Sequence, residues 1–477
     1  MLWLCISLPQ LPLESLQLEE DEQLTVITDC EANARWIICC NAAAARANLK
    51  VGMNYTTALA IHSHIVMFER KPQAEQAALE RLAAWAYQFS STVIIGEAPA
   101  ELRRARTAAL WLEIGASLKL FGGFRKLIEK LEAEINQLHY TYQLGIAPTL
   151  EGAALLARAG IRLALTTLPA LRTRIGKLAV AQLALAPEIT DQLHMVGVRT
   201  IAAALELPRG AIAKRFGKDA SNYLDRLIGE APDPREAYRL PPTYSARFEF
   251  GFDLSNTEAL LFPVRRMLRE FSGFLIGRDT AVQRFKLAFI HRECAATELT
   301  IGLTMPDRSS ERFFALVREQ LERVALPAPT SELTLSATEF SAPTALQTDL
   351  LNGALDQSED LSHTIDRIVA RLGEEHVYGI RTAADHRPEA SWTIDTDESR
   401  AIARKFPDRP LWLLPEPKPL QSAGLPLHAG PERIESGWWE DKDVQRDYFI
   451  VRTNNGADLW VYRDLRDSHW YLHGFWS

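Results

Sequence analysis

Apolar positions along this chain follow two different periods, and the alternation between them divides it. In residues 1–165 the runs "LWLCISL", "RWIICCN", "HIVMFER", "STVIIGE" and "AALWLEIGAS" read as buried strands. Between them, "QAEQAALERLAAWAYQF" and "GGFRKLIEKLEAEINQL" repeat apolar residues at three- and four-residue spacing. The pattern predicts a sheet covered by helices. Residues 166–246 are Leu/Ala-rich and mostly helical, and they end in "GEAPDPREAYRLPPTY", whose proline clusters mark a linker. Residues 247–345 predict the order β-α-β-β-α-β, with strands at 247–252, 282–292, 296–305 and 332–340 and helices at 257–275 and 310–324. A partly helical, proline-punctuated connector fills 346–430. In 431–477 the segments "RDYFIVRT", "ADLWVYRD" and "HWYLHGFW", with the turn "NNG", predict a short antiparallel meander. The expected class is α+β, in several domains.

Composition narrows this little. With 477 residues, 47% hydrophobic and 24% charged, the chain reads as an ordinary globular protein of three or four domains. The net charge is −8, of which residues 351–477 carry −7. Acidity overall does not exclude nucleic acid, because contact is made by local patches, and residues 166–246 hold 11 basic against 8 acidic side chains. Five cysteines without a CxxC pair argue against a disulfide framework or zinc ribbon and fit a reducing, cytoplasmic setting. No run reaches the ~18 apolar residues of a membrane span. The opening "MLWLCISLPQLPL" lacks a basic flank and a cleavage signal, so it reads as a first core strand. His469 and His473 stand four apart without Cys or acidic partners at metal spacing, and no cofactor or metal is expected.

The stretch with most chemistry is "LHMVGVRTIAAALELPRGAIAKRFG" (193–217). A helix ends, turns through Gly197 and Val198, and restarts at Thr200, the pattern of a helix-hairpin-helix. Its turn amides and the second helix's N-terminus suit a DNA phosphate, with Lys214, Arg215 and Lys218 near enough to neutralise others. A plain helical hairpin with a glycine cap has the same spacing. On "VQRFKLAFIHR", Phe285, Leu287 and Phe289 alternate with Arg284 and Lys286, Arg292 following, so one face packs and the other is basic. That face suits a template backbone, or simply solvent.

A strand-rich first domain, a helix-hairpin-helix and a separate β-α-β-β-α-β unit, in that order, resemble a Y-family translesion DNA polymerase: palm and fingers (1–165), thumb (166–246) and little finger (247–345). "CNAAAARANLKVGM" resembles the fingers motif and "YQLGIAPTLEGAALLARAG" the palm strand-to-helix element. "LWLEIGASLKLFGG" and the tail "GPERIESGWWEDKDVQRDYF" with "LWVYRD" and "WYLHGFW" resemble, more narrowly, the ImuB family, the catalytically inactive Y-family-like proteins of bacterial mutasomes.

The resemblance carries implications that the residues alone do not. Active Y-family enzymes hold two metal ions with one Asp on the first strand and an Asp-Glu pair on a later one. Aligned by motif, those positions are Ser7, Ala108 and Ala109. The phosphate-gripping Tyr and Arg of the fingers fall at about Ala42 and Ala45, with Arg46 one residue away, and the palm lysine near Ala154. Glu113 and Glu14 are too far along the chain to replace the ligands. The implied function is a non-catalytic scaffold for translesion synthesis and SOS-induced mutagenesis. Gln347, Leu350 and Leu351 form a Q-x-x-L-L string, the type of peptide that bacterial β sliding clamps bind. The implied partners are DNA, the clamp, an ImuA-like relative of RecA, RecA itself and an error-prone C-family polymerase. Trp438 and Trp439 suit partner anchors or the meander's core equally. An active polymerase with an unrecognised metal site, and a helix-hairpin-helix repair factor independent of the clamp, stand as the alternatives.

Overall fold

The structure is a computed structural model, and it describes residues 1–16, 23–31, 34–99, 106–343, 355–383, 385–394, 409–410, 412–421, 426–438, 443–453 and 456–476. The chain divides into two compact units, Met1–Arg371 and Leu372–Ser477.

The first unit's strands are β1 (Trp3–Leu8), β2 (Leu24–Glu31), β3 (Ala34–Cys40), β4 (Ile65–Glu69), β5 (Val93–Pro99), β6 (Arg106–Glu113) and β7 (Gln143–Ala147), followed by β8 (Tyr244–Leu254), β9 (Val282–His291), β10 (Thr297–Asp307) and β11 (Thr330–Ala337). They build three sheets: a first, β5-β6-β1-β7, a second, β10-β9-β11-β8, and a smaller third, β3-β2-β4. The run "LWLCISL" is apolar at every position but Ser7 because β1 is central and packed on both faces. Leu4, Ile6 and Leu8 meet the Pro72–Ala86 and Phe124–Gln137 helices, whereas Cys5 shares a core with Ala109, Trp111 and the Leu150–Arg158 helix. That last helix starts where Thr149 accepts a hydrogen bond from the Gly152 amide.

The β-α-β-β-α-β unit matches its sequence pattern within a few residues, its helices running Thr257–Arg278 and Ser310–Leu321. Phe285, Leu287 and Phe289 face those helices. The stretch read as a partly helical connector does hold a helix. That helix, Leu355–Leu372, docks on this unit: buried Asp366 accepts from the Thr304 amide and hydroxyl, both at 2.8 Å, and pairs with Arg312.

The second unit holds the two-stranded β12 (Ile380–Thr382) and β13 (Trp392–Ile394) and a five-stranded antiparallel sheet. The latter comprises β14 (Trp412–Leu420), β15 (Leu427–Ser436), β16 (Val444–Arg452), β17 (Asp458–Asp464) and β18 (Trp470–Phe475), ordered β14-β18-β17-β16-β15. The meander is therefore the middle of a larger sheet, and β15 begins before residue 431. The proline-rich "WLLPEPKPL" is an edge strand, where prolines without an N–H donor are tolerated. Its core is aromatic: Tyr448 stacks on Trp460, and the Tyr448 hydroxyl meets His473 Nδ1 at 2.7 Å.

Candidate polymerase-like centre and nucleic-acid interface

The three positions aligned with metal ligands come together at one end of β1 and β6. Ser7 stands opposite Ala109 and Leu8 opposite Ala108 in the antiparallel register. Ser7 and Ala109 share a face and are buried, at 4% and 0% exposure, while Ala108 turns to the other face, as neighbouring strand residues must. Ser7 brings a hydroxyl and the two alanines bring methyl groups, so these three side chains offer no anionic ligand.

Glu113 is at the far end of β6, opposite Trp3, and its carboxylate accepts from the amides of Leu2, Gly115 and Ala116 at 2.9–3.2 Å. Glu14 accepts from the Thr141 amide at 2.7 Å, and burial pushes its carboxyl above the usual range. One carboxylate that sequence reasoning missed does stand beside the centre: exposed Glu97 on β5 is the cross-strand neighbour of Ala108. The signal was in "STVIIGE", but only strand pairing joins residues 97 and 108. Among the described residues, no group of three or more His, Cys, Asp or Glu could hold a metal ion.

The aligned triphosphate clamp is dispersed. Ala42 and Ala45 are exposed on the short Ala42–Arg46 helix, where Arg46 Nε bonds back to the Ala42 carbonyl at 3.3 Å. Ala154 is buried at 2% exposure in the core under the first sheet, a position that would bury a lysine rather than offer it to phosphate.

The helix-hairpin-helix is formed by Pro187–Met195 and Ile201–Glu206. Gly197 has φ +84°, which favours glycine, and Thr200 caps the second helix by accepting from the Ala203 amide. The turn corrects one expectation. The Gly197 and Val198 amides bond to the carbonyls of His194 and Leu193 at 3.0 and 2.9 Å, and Val198 is buried at 8% exposure. Those two residues build the hairpin, so they do not present donors to a phosphate. The exposed tip carries Met195 and Val196. Lys214, Arg215 and Lys218 are exposed on the following Arg209–Phe216 and Lys218–Ile228 helices.

On the second sheet Arg284 and Lys286 are exposed on the face opposite the helices, as expected. Lys286 stands between Thr300 and Ser336, and Arg284 opposite Gly302. Arg292 differs, because its guanidinium is held by both Asp253 carboxylate oxygens at 2.9 Å. Arg247 likewise pairs with Glu332. The face is therefore mixed in charge, with its basic part centred on β9.

Gln347, Leu350 and Leu351 lie outside the described residues, as does Trp439. Trp438 is 77% exposed after β15, so it is not part of the meander's core. His473 is buried on β18, and His469 is exposed just before that strand begins. No helix among the described residues is long and apolar enough to cross a membrane.

The chain is similar to known proteins along most of its length. The chain is 28% identical to Protein ImuB of Caulobacter vibrioides strain NA1000/CB15N over 462 residues, covering 89% of this chain and 99% of that protein. The same values hold for Protein ImuB of strain ATCC 19089. Among solved structures, DinB from Sulfolobus solfataricus covers 70% of this chain and 98% of its own, at 12% identity and a TM-score of 0.40. An insertion ternary complex of Dbh DNA polymerase has the same coverage and identity, with a TM-score of 0.41. Values that low leave the fold to be read from the strand order itself. Residues 14–158 match the impB/mucB/samB family, and the chain is similar to ImuB along nearly its whole length.

Proposed function

We propose that this protein is a non-catalytic, Y-family-like scaffold of DNA-damage tolerance. It binds primer-template DNA through its hairpin segment (166–246) and second sheet (247–345), tethers to the sliding clamp through Gln347, Leu350 and Leu351, and recruits an error-prone C-family polymerase and an ImuA-like RecA relative through its C-terminal unit. The observation that carries the reading is the β1–β6 register, which sets Ser7 against Ala109 where the aligned enzymes need carboxylates. Two-metal phosphoryl transfer depends on anionic oxygen ligands to fix and neutralise the ions, and a hydroxyl with two methyl groups supplies none.

The test is a titration against the cognate clamp, wild type beside the triple variant Gln347→Ala, Leu350→Ala, Leu351→Ala. Micromolar or tighter binding that the variant loses supports the tethered scaffold, and equal binding by both removes the motif from it. The DNA part of the reading has its own signature. Replacing Arg284 or Lys286 with Ala should each flatten the slope of log affinity against log salt by about one unit. Arg292→Ala should barely change it, because Asp253 already neutralises that charge.

An active polymerase is the second reading, favoured by Glu97 beside Ala108. Primer extension dependent on Mg²⁺ or Mn²⁺, and lost in Glu97→Gln, would establish it.

A further inference from the structure

The second sheet does not hang from a free linker. Its Thr257–Arg278 helix lies against the first domain's Pro72–Ala86 helix, and charged side chains are buried between them. Glu270, at 0% exposure, accepts from Arg81 Nε at 2.9 Å and from the Tyr140 hydroxyl at 3.3 Å. Its other flank faces Arg266 Nε at 3.6 Å, and the Arg266 guanidinium lies 3.8 Å over the Tyr140 ring. Arg81 reaches across to the Arg247 carbonyl on β8 at 3.1 Å and stacks over Phe248. Arg81, Arg266 and Tyr140 are all at 7% exposure or less.

The backbone is shaped for this approach. A Cβ on Gly273 would lie 2.4 Å from Trp85, and one on Gly277 within 2.9 Å of the Gln88 nitrogen. At the rim, Lys71 pairs with Glu249 at 2.6 Å and the Gly251 amide bonds to the Leu16 carbonyl at 3.1 Å. The linker is fastened too, the Tyr238 amide donating to the Val93 carbonyl at 2.7 Å.

We propose that the Arg81–Glu270–Arg266–Tyr140 network is an orientation lock, which holds the second sheet in one pose on the first domain before any DNA is bound. A buried ion pair adds little net stability compared with apolar side chains of the same volume, since desolvation offsets the attraction. What it supplies is discrimination, because any sliding or rotation of the two helices would strand the buried Arg81 charge without Glu270. The strand bearing Arg284 and Lys286 is then presented in a fixed direction. The lock stands or falls independently of the scaffold reading, since it concerns the protein without DNA, clamp or polymerase.

The chain contains its own reporters. Cys30, on β2, and Cys294, in the turn between β9 and β10, are exposed, whereas Cys5, Cys39 and Cys40 are buried. Cys30 moves with the first domain, because its neighbour Asp29 pairs with Arg70, which also holds Glu75 of the Pro72–Ala86 helix. Nitroxides on these two cysteines should give a single narrow distance by pulsed electron paramagnetic resonance in the full-length protein without DNA. The triple variant Arg81→Met, Arg266→Met, Glu270→Leu should keep the melting temperature while its distance distribution at least doubles in width. Glu270→Gln, which keeps the shape and removes the charge, should broaden it as well and serves if the triple variant does not fold. A broad wild-type distribution, or unchanged width in whichever variant folds, would overturn the lock.

Discussion

Alanine at position 145 should cost roughly 4 kcal/mol of stability, above the ordinary overpacking range of about 1–3 kcal/mol, and lower the first thermal transition by about 10 °C. Gly145 lies on β7 directly opposite Cys5 of the central strand, where the Leu150–Arg158 helix makes its closest approach. A methyl group there would come 2.1 Å from the Ala153 carbonyl oxygen and 2.3 Å from the Ala157 nitrogen. Both are backbone atoms of a helix, so no side-chain rotation relieves the clash. The helix must lift from the sheet and give up part of the core shared by Ala109, Trp111 and Leu171. Differential scanning calorimetry on Gly145→Ala beside Gly210→Ala makes the comparison. Gly210 stands in a helix with open space where its Cβ would be, so alanine there should be neutral or stabilising by up to ~1 kcal/mol. Equal melting temperatures for the two variants would mean the strand-helix contact is not tight.

The C-terminal unit should weaken steadily as pH falls from about 6.5 to 4, by roughly 3 kcal/mol in total. His473 is the cause. It is buried at 1% exposure among Tyr448, Trp460 and Tyr462, and burial pushes its imidazole down to about 4, with Glu389 opposing and Arg446 reinforcing the shift. The direction follows from proton binding. Between the two pKa values the unfolded chain carries the extra proton, so stability rises with pH across that window, is complete above about 6.5, and is lost as pH approaches 4. The paired carboxylates of Asp385, Asp447 and Asp464 lie below their ordinary range because each accepts hydrogen bonds from an arginine. Their contributions are present above about 4 and fade only below it, so the two effects separate on the pH axis. Urea unfolding followed by tryptophan fluorescence suits this unit, since seven of the eleven tryptophans lie beyond residue 350. His473→Gln should flatten the profile between pH 6.5 and 4.5. A profile as steep as wild type would assign the titration to another group.

Much of the fold was legible because its elements have strong local periods. In "VQRFKLAFIHR" Arg284 and Lys286 alternate with Phe285, Leu287 and Phe289, so the burial of the three apolar side chains and the exposure of the two basic ones follow from strand geometry alone. The connector was misread for an equally local reason. Prolines at 415, 417 and 419 argue against a central strand, and nothing in the residues themselves says that an unpaired edge was available to them. Arg292 shows the same limit, since the aspartate that neutralises it lies 39 residues away on another strand.

By itself the sequence determined the order of the segments, the turn at Gly197 and the absence of carboxylates at positions 7, 108 and 109, because each is set by residue type and short-range spacing. Only the tertiary structure decided that Ser7 and Ala109 meet, that Glu97 stands beside Ala108, that the Gly197 and Val198 amides are already used, and that Glu270 sits between Arg81 and Arg266. Each of those depends on strand register, local closure of a turn or the packing of two helices from distant parts of the chain. Such contacts are fixed by which buried groups satisfy one another across the fold, and no local period encodes them.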